Sequence, residues 1–320
     1  MKLLVKNNYF LQFLILSLLT LCVVLLFLTY QTYGNWEFAL LLRGKKLLAF
    51  LIVGLLTSFS TITFQTISQN HFLTPSILGF DSLYVLIQTL LFFMMGSNYQ
   101  REPIVFFLNV ILMVLISVLL FSTLLKKEGQ DLFLLLMIGM ILGTLFKSMS
   151  TFLQVMMDPN EYDKLQGKLF ASFSNVEVSL LTLVIPVVIV LVILFFKASP
   201  KLDVLHLGLE QAINLGINVN RFRKYLLFLI SLAVALATAL IGPITFLGFI
   251  VANVTYQWIG TYKHTYLFIS GALLSVLFLV SGQFLVEQVF HMNTTLSVVI
   301  EFSGGLYFIW KLLKRKGGQV

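Results

Sequence analysis

Cysteine is almost missing: the 320 residues contain one, Cys22. A disulfide framework and a cysteine-rich metal site are therefore excluded. Charge is scarce too. Asp, Glu, Lys and Arg make up 11% of the chain, against about 25% in a soluble domain, and so few charges cannot clothe a soluble core of this size. The phosphate-binding pattern GxxxxGK[ST] does not occur, so any nucleotide site must lie on another chain. No cluster of His, Cys and carboxylates has metal-ligand spacing, and no nucleophile stands beside a base at helical spacing. The chain does not read as an enzyme, and no metal or other cofactor is expected.

What the chain has instead is apolar length. Hydrophobic residues reach 59% and the mean hydropathy is +0.98. A helix crossing a bilayer needs about 20 apolar residues. Apolar windows between polar clusters predict spans near 10–30, 46–67, 76–95, 103–125, 131–154, 177–196, 225–242, 245–259, 266–287 and 295–312. Gly242-Pro243 breaks the otherwise continuous stretch between the seventh and eighth. Ten spans use roughly 200 residues, which leaves no room for a folded extramembrane domain. The expectation is an all-α, polytopic membrane protein whose residues 1–320 form one transmembrane domain. Lys2 and Lys6 ahead of an apolar stretch resemble a signal peptide, but the run from Phe10 to Tyr30 is long and lacks a small-residue cleavage pattern. A retained first span is the better reading.

An even count places both termini on one side, and the basic residues select the cytoplasm. With the termini inside, 14 of the 21 Lys and Arg residues fall in cytoplasmic segments. The net charge of +8 is thus a positive inner face, not a nucleic-acid surface. The exception is Arg43-Gly44-Lys45-Lys46, three cations on the outer side that could hold an acidic protein. Lys147 lies within the fifth span, where a cation either serves a pathway for anions or snorkels or pairs with a neighbouring acid. Asp81, Gln65, Gln88 and Glu301 are further intramembrane polar groups. The longest cytoplasmic segment, 197–224, has Leu205, Leu209, Ala212 and Ile213 at helical spacing, with Gly208 and Gly216 bracketing a short helix. That helix reads either as an interfacial element or as a docking helix for a cytoplasmic partner.

Several separated motifs, LGLEQAINLGINVN (207–220), GPITFLGFIVANV (242–254), GTYKH (260–264) and TTLSVVIEFSGGLYFIWKLL (294–313), together with FQTISQNHFLTPSILGFDSLY (64–84), resemble the permease subunits of FecCD-type ABC importers, which take up iron-siderophores, haem and vitamin B12. TPSILGFDSLY, DPNEYDKLQGKLFASFSNV (158–176), VANV and FHMNTTLS (290–297) are most similar to the branch serving catecholate siderophores such as petrobactin and anguibactin. The resemblance implies a ten-span permease in the bacterial cell (inner) membrane. Its implied partners are a second permease subunit, commonly a different chain, two cytoplasmic ATPase subunits, and a substrate-binding lipoprotein or periplasmic binding protein.

Residue by residue, the resemblance implies that Gly208, Glu210, Ala212, Leu215 and Gly216, in a coupling segment of about 199–220, seat in the ATPase. Arg43 and Lys46 fall where the family pairs outward basic residues with the binding protein, Arg-x-Pro-Arg having become Arg-Gly-Lys-Lys, while Glu287 lies near a position where the family often shows an outward Arg. Asn70 and Phe72 match the cytoplasmic gate, with His71 in place of Pro. Gly242, Pro243 and Gly248 match a turn that packs helices closely. The implied function is ATP-driven uptake of a ferric siderophore, the iron travelling as a chelate that brings its own ligands. Haem or a cobalamin is the alternative cargo. An ion-driven secondary transporter is the reading from another class, and it lacks the paired midplane acids such proteins usually show.

Overall fold

The computed structural model describes residues 9–32, 36–95, 103–127, 132–169, 173, 176–292 and 294–316. Among these residues the only regular structure is helical. The helices are α1 (Tyr9–Thr29), α2 (Trp36–Ile67), α3 (Phe80–Met95), α4 (Pro103–Lys127), α5 (Leu132–Val155), α6 (Pro159–Leu169), α7 (Val178–His206), α8 (Leu209–Asn214), α9 (Val219–Ile241), α10 (Leu247–Ile259), α11 (His264–Gln288) and α12 (Leu296–Lys316), with a 3-10 turn at Pro75–Leu78 ahead of α3.

Each of the ten expected segments coincides with a helix. Seven of those helices are long and apolar enough to cross a membrane, and the chain is a multi-pass membrane protein. The three that fall short are α3, α10 and α12. At about 1.5 Å per residue, the 13 residues of α10 reach only about 20 Å, less than the roughly 30 Å hydrocarbon core. The end of α12 carries Lys311, Lys314, Arg315 and Lys316.

Three boundaries differ from the sequence expectation. Helix α2 begins at Trp36, so Arg43, Lys45 and Lys46 sit within a helix and not in a loop. Helix α7 runs to His206, through Pro200, because Ala198, Ser199, Leu202 and Leu205 find a buried face there. Helix α9 begins at Val219, where the Asn218 side chain accepts a hydrogen bond from the Arg221 N–H at 3.1 Å. Helix α6 had not been anticipated. It is a short amphipathic segment that buries Leu165 against Phe92 and Met157.

Helix α2 is the axis of the bundle, packed by α7, α9, α10 and α11, while α4 lies on α9, α3 on α5 and α1 on α11. Close approach makes this possible. A Cβ on Gly54 would stand 2.6 Å from the Ser275 hydroxyl, and one on Gly248 would stand 2.2 Å from that of Thr61, so the backbones of α11 and α10 meet α2 with almost nothing between them. Two buried hydroxyls of α2 turn back on their own helix, Ser58 to the Leu55 carbonyl at 3.1 Å and Ser60 to that of Thr57 at 3.1 Å. Phe59, Phe195, Phe196 and Phe268 join α2, α7 and α11 through ring contacts of 4.5 to 6.0 Å. The outer helices invert this pattern: 72% of the α2 span is buried but only 17% of the α1 and α5 spans, which present leucine, methionine and phenylalanine outward.

The start of α1 and the end of α12 share the α8 end of the bundle. There Gln12 Nε2 donates to the Trp258 carbonyl at 3.0 Å, and Lys311 Nζ donates to Asn253 Oδ1. The opposite end carries the end of α1, the start of α2 and the end of α11.

Candidate functional site

The six residues of α8 are held between two glycines in the left-handed half of φ space, Gly208 at φ +121 and Gly216 at φ +81. Behind the helix, the Gly216 N–H donates to the Ile213 carbonyl at 2.9 Å and the Ile217 N–H to that of Ala212 at 3.0 Å, a glycine-closed C-terminus. Ala212 is fully buried, while Glu210, Ile213 and Leu215 are exposed. The element is a short rod, seated on Ala212, that offers one acid and two apolar side chains outward.

Its stem, the last turns of α7, is tied to two other helices. His264, at the start of α11 and fully buried, directs its backbone N–H and its ring Nδ1 at Asp203 Oδ1, both at 2.7 Å. Its Nε2 lies 2.7 Å from Thr66 Oγ1 on α2. Ser199 and Thr265 hydroxyls meet at 2.9 Å. Gln69 Nε2, just beyond α2, donates to the Leu205 carbonyl at 2.8 Å. Thus α7, α11 and α2 are clasped immediately above α8.

The loop that follows α2 carries Asn70, His71 and Phe72. Asn70 Oδ1 accepts from the Phe72 N–H at 3.0 Å, a local turn. The His71 carbonyl accepts two amides, from Gln65 at 2.8 Å and from Asn253 of α10 at 3.2 Å. The Phe72 ring lies 6.3 Å from that of Phe249 and 6.2 Å from that of Phe308. The His71 ring stands 4.4 Å from Tyr256 and 6.2 Å from His206. Burial first, then His206 and Lys311, hold the His71 imidazole below its ordinary pKa. Between this loop, α10 and α12 opens a cavity of about 640 Å³ lined by Gln69, Asn70, His71, Phe72, Asn253, Tyr256, Gln257, Trp310, Lys311 and Lys314.

At the opposite end, Arg43 Nη1 donates to the Tyr30 and Leu28 carbonyls at 2.7 and 3.2 Å and so closes α1. Lys46 Nζ pairs with Glu287 Oε1 at 2.7 Å, and Gln283 Nε2 donates to the same oxygen at 2.8 Å. Both residues expected on the outer rim are therefore engaged within the chain, and Glu287 is the ion-pair partner of one of them.

The structure thus brings Asn70 and Phe72 together with Gly208, Glu210, Ala212, Leu215 and Gly216 at one end of the bundle and sets Arg43 and Lys46 at the other. It leaves Lys147 apart from both, on the exposed face of α5 with Leu145 and Met149. Gly242, at φ +94, and Pro243 form the turn between α9 and α10, and Gly248 is the contact of α10 with α2. Sequence reasoning missed Asp203, His264, Thr66, Gln69 and Lys311, and claimed no role for Asn253. A histidine and an aspartate within spans or at their ends were the available signal.

The FecCD transport family profile matches residues 9–314. The chain belongs to the FecCD transport family. It is 45% identical over 304 residues to the petrobactin import system permease protein YclO of Bacillus subtilis, covering 94% of this chain and 96% of that protein. It is 38% identical to the petrobactin import system permease protein FatC of Bacillus anthracis, covering 86% of this chain and 78% of that one. A solved structure described as an inward-facing conformation of a metal-chelate type ABC transporter superposes with a TM-score of 0.84 at 22% identity, covering 96% of this chain and all of the other. The FecCD chain is a transport component, a permease of the ABC importer class, and not an enzyme.

Proposed function

We propose that this FecCD permease conducts a ferric catecholate siderophore across the bacterial inner membrane, through ten spans with both termini in the cytoplasm. The observation that carries the reading is the arrangement at the α8 end: a glycine-bracketed rod with exposed Glu210, Ile213 and Leu215, a clasped stem above it, and beside it the loop of Asn70 and Phe72. An ATPase subunit that grips α8 through Gly208, Glu210, Ala212, Leu215 and Gly216 moves the stem as a body. The ties from Asp203 to Thr66 and from Gln69 to Leu205 carry that movement to the gate loop. Similarity to permease proteins of petrobactin import systems supports the cargo class.

The partners follow from the same reading. Two ATPase subunits supply the nucleotide site that this chain lacks, and a second permease completes the conduit. Bacillus anthracis has two petrobactin import permeases, FatC and FatD, that match this chain at 38% and 28% identity, which favours a different second chain. A substrate-binding lipoprotein or periplasmic protein docks at the rim of Arg43 and Lys46. Gly242, Pro243 and Gly248 shape the packing turn, and Lys147 lies along the pathway side that the second permease covers.

Co-purification in mild detergent tests the assembly. The wild-type chain should carry an ATPase subunit and a second permease, and Gly216→Trp should lose the ATPase and ATP-driven uptake together. Retention of both by Gly216→Trp would overturn the docking role. Cargo is separated by uptake in a deletion strain: growth on ferric catecholates should fall, whereas a loss of cobalamin uptake instead would favour the vitamin B12 reading, to which the 30% identity with a Vibrio cholerae vitamin B12 import permease points.

A further inference from the structure

The cavity at the α8 end has an unusual lining. Two ammonium groups face it, Lys311 and Lys314, and among the described residues no carboxylate does. Among the described residues neither lysine has an ion-pair partner, since the pairs found there are Lys46 with Glu287 and His264 with Asp203. Lys311 Nζ donates to Asn253 Oδ1 and lies 5.7 Å from the Phe72 ring centroid. Lys314 Nζ lies 5.0 Å from that of Trp310. A partly buried cation left without a counter-charge, near the end of an apolar helix, costs free energy that an incoming anion recovers. The rest of the wall is aromatic or amide: the rings of His71, Phe72, Tyr256 and Trp310, and the side chains of Gln69, Asn70, Asn253 and Gln257, with the Gln69 amide already bonded to the Thr66 and Leu205 carbonyls and that of Gln257 to the Tyr307 hydroxyl. The volume, about 640 Å³, falls in the range of roughly 300–1,000 Å³ that encloses drug-sized ligands.

We infer that this cavity is a binding site for a polyanionic aromatic chelate, with Lys311 as its anchoring cation and Trp310, Tyr256 and His71 as its stacking walls. The inference rests on the siderophore reading and adds to it the place where cargo is held after passing Phe72. Simple phosphate, free or on a lipid headgroup, would use the ammoniums but gain nothing from the rings. A ferric catecholate uses both, since its charge meets the lysines and its ring faces meet the aromatics. The site also gives a purpose to Asn253, whose Oδ1 orients Lys311 while its Nδ2 holds the His71 carbonyl.

The experiment is binding of iron-55 tris-catecholate to the assembled transporter in phosphatidylcholine nanodiscs. Lys311→Gln should raise the half-saturating concentration about ten-fold, Lys311→Arg by less than about three-fold, and Trp310→Ala by several-fold. Lys164→Gln, on the exposed face of α6, should bind as the parent does. Inorganic phosphate and anionic lipid vesicles should fail to compete. Parent-like binding by both Lys311→Gln and Trp310→Ala would overturn the assignment. Competition by phosphate or by anionic lipid as strong as by unlabelled chelate would overturn it too, leaving an anion site without aromatic recognition. Thermal unfolding of each variant separates lost binding from lost fold, and Lys311→Arg keeps the test open should Lys311→Gln unfold. ATP-driven uptake is scored in parallel: parent uptake with normal Lys311→Gln binding removes this site alone, whereas no uptake by the parent removes the transport reading beneath it.

Discussion

Gly248 marks a close contact between α10 and α2, with Thr61 Oγ1 2.2 Å from where a Cβ would stand. Gly248→Val should lower the thermal midpoint of the purified protein, at a cost of about 1–3 kcal/mol for forcing two backbones apart. Gly167→Ala, on α6 with open space around it, should leave it unchanged or raised. His71 makes a prediction about pH. It faces His206 of α7, Tyr256 of α10 and Lys311 of α12, and its pKa is held down, so the neutral ring is the form the fold stabilises. That contribution is present above the ordinary imidazole range, near pH 6.5, and is lost as pH falls below it. Hydrogen exchange of residues 68–74, corrected for intrinsic rate, should therefore rise on acidification, and His71→Gln should flatten the dependence. Some of this scale was legible beforehand. Gly216 and Gly242 announced their turns because few other residues adopt positive φ. The partnership of Asn253 with Lys311 was not, because it joins residues 58 positions apart whose meeting depends on how α10 and α12 pack.

The clasp above α8 is a property of three helix ends together. On the proposed coupling, Asp203→Ala or His264→Ala should leave ATP hydrolysis by the assembled transporter within about two-fold while uptake falls about ten-fold, since a motor gripping α8 would keep its hold but the stem would no longer carry α2 and α11 with it. A parallel fall in both activities would mean that the clasp merely supports the fold. Helix existence was readable from apolar runs, and every predicted span has its helix. Helix extent was less so. The cations Lys197 and Lys201 and the ring of Pro200 argue for an end near residue 196, yet α7 continues because its inner face, Leu202 and Leu205, is fully buried. Tertiary burial outweighed local signals there, as it did where α2 extends back to Trp36. Helix α6 escaped because eleven mostly polar residues carry no span-length signal.

For the molecule as a whole, the shared end of α1 and α12 predicts that both termini face the same compartment. In a Cys22→Ser background, which removes the one native thiol, single cysteines at Lys201 and Gln257 should react with a membrane-impermeant maleimide only from the cytoplasmic side, whereas one at Tyr30 should react only from outside. Labelling of Lys201→Cys and Tyr30→Cys from the same side would contradict the arrangement. The ion pair of Lys46 and Glu287, 241 positions apart in the chain, was foreshadowed only as a departure from a family pattern. Lys46→Gln should destabilise by about 1–3 kcal/mol by stranding a partly buried carboxylate, and the exchanged pair Lys46→Glu with Glu287→Lys should recover much of it.

Helix α2 runs unbroken for 32 residues, about 48 Å at the usual helical rise. One end bears Arg43 and Lys46, the other Thr66 and the tether to Phe72. On the proposed assembly, a capture protein arriving outside would press on one tip of this stiff shaft, and a motor gripping α8 would reach the other tip through His264 and Thr66.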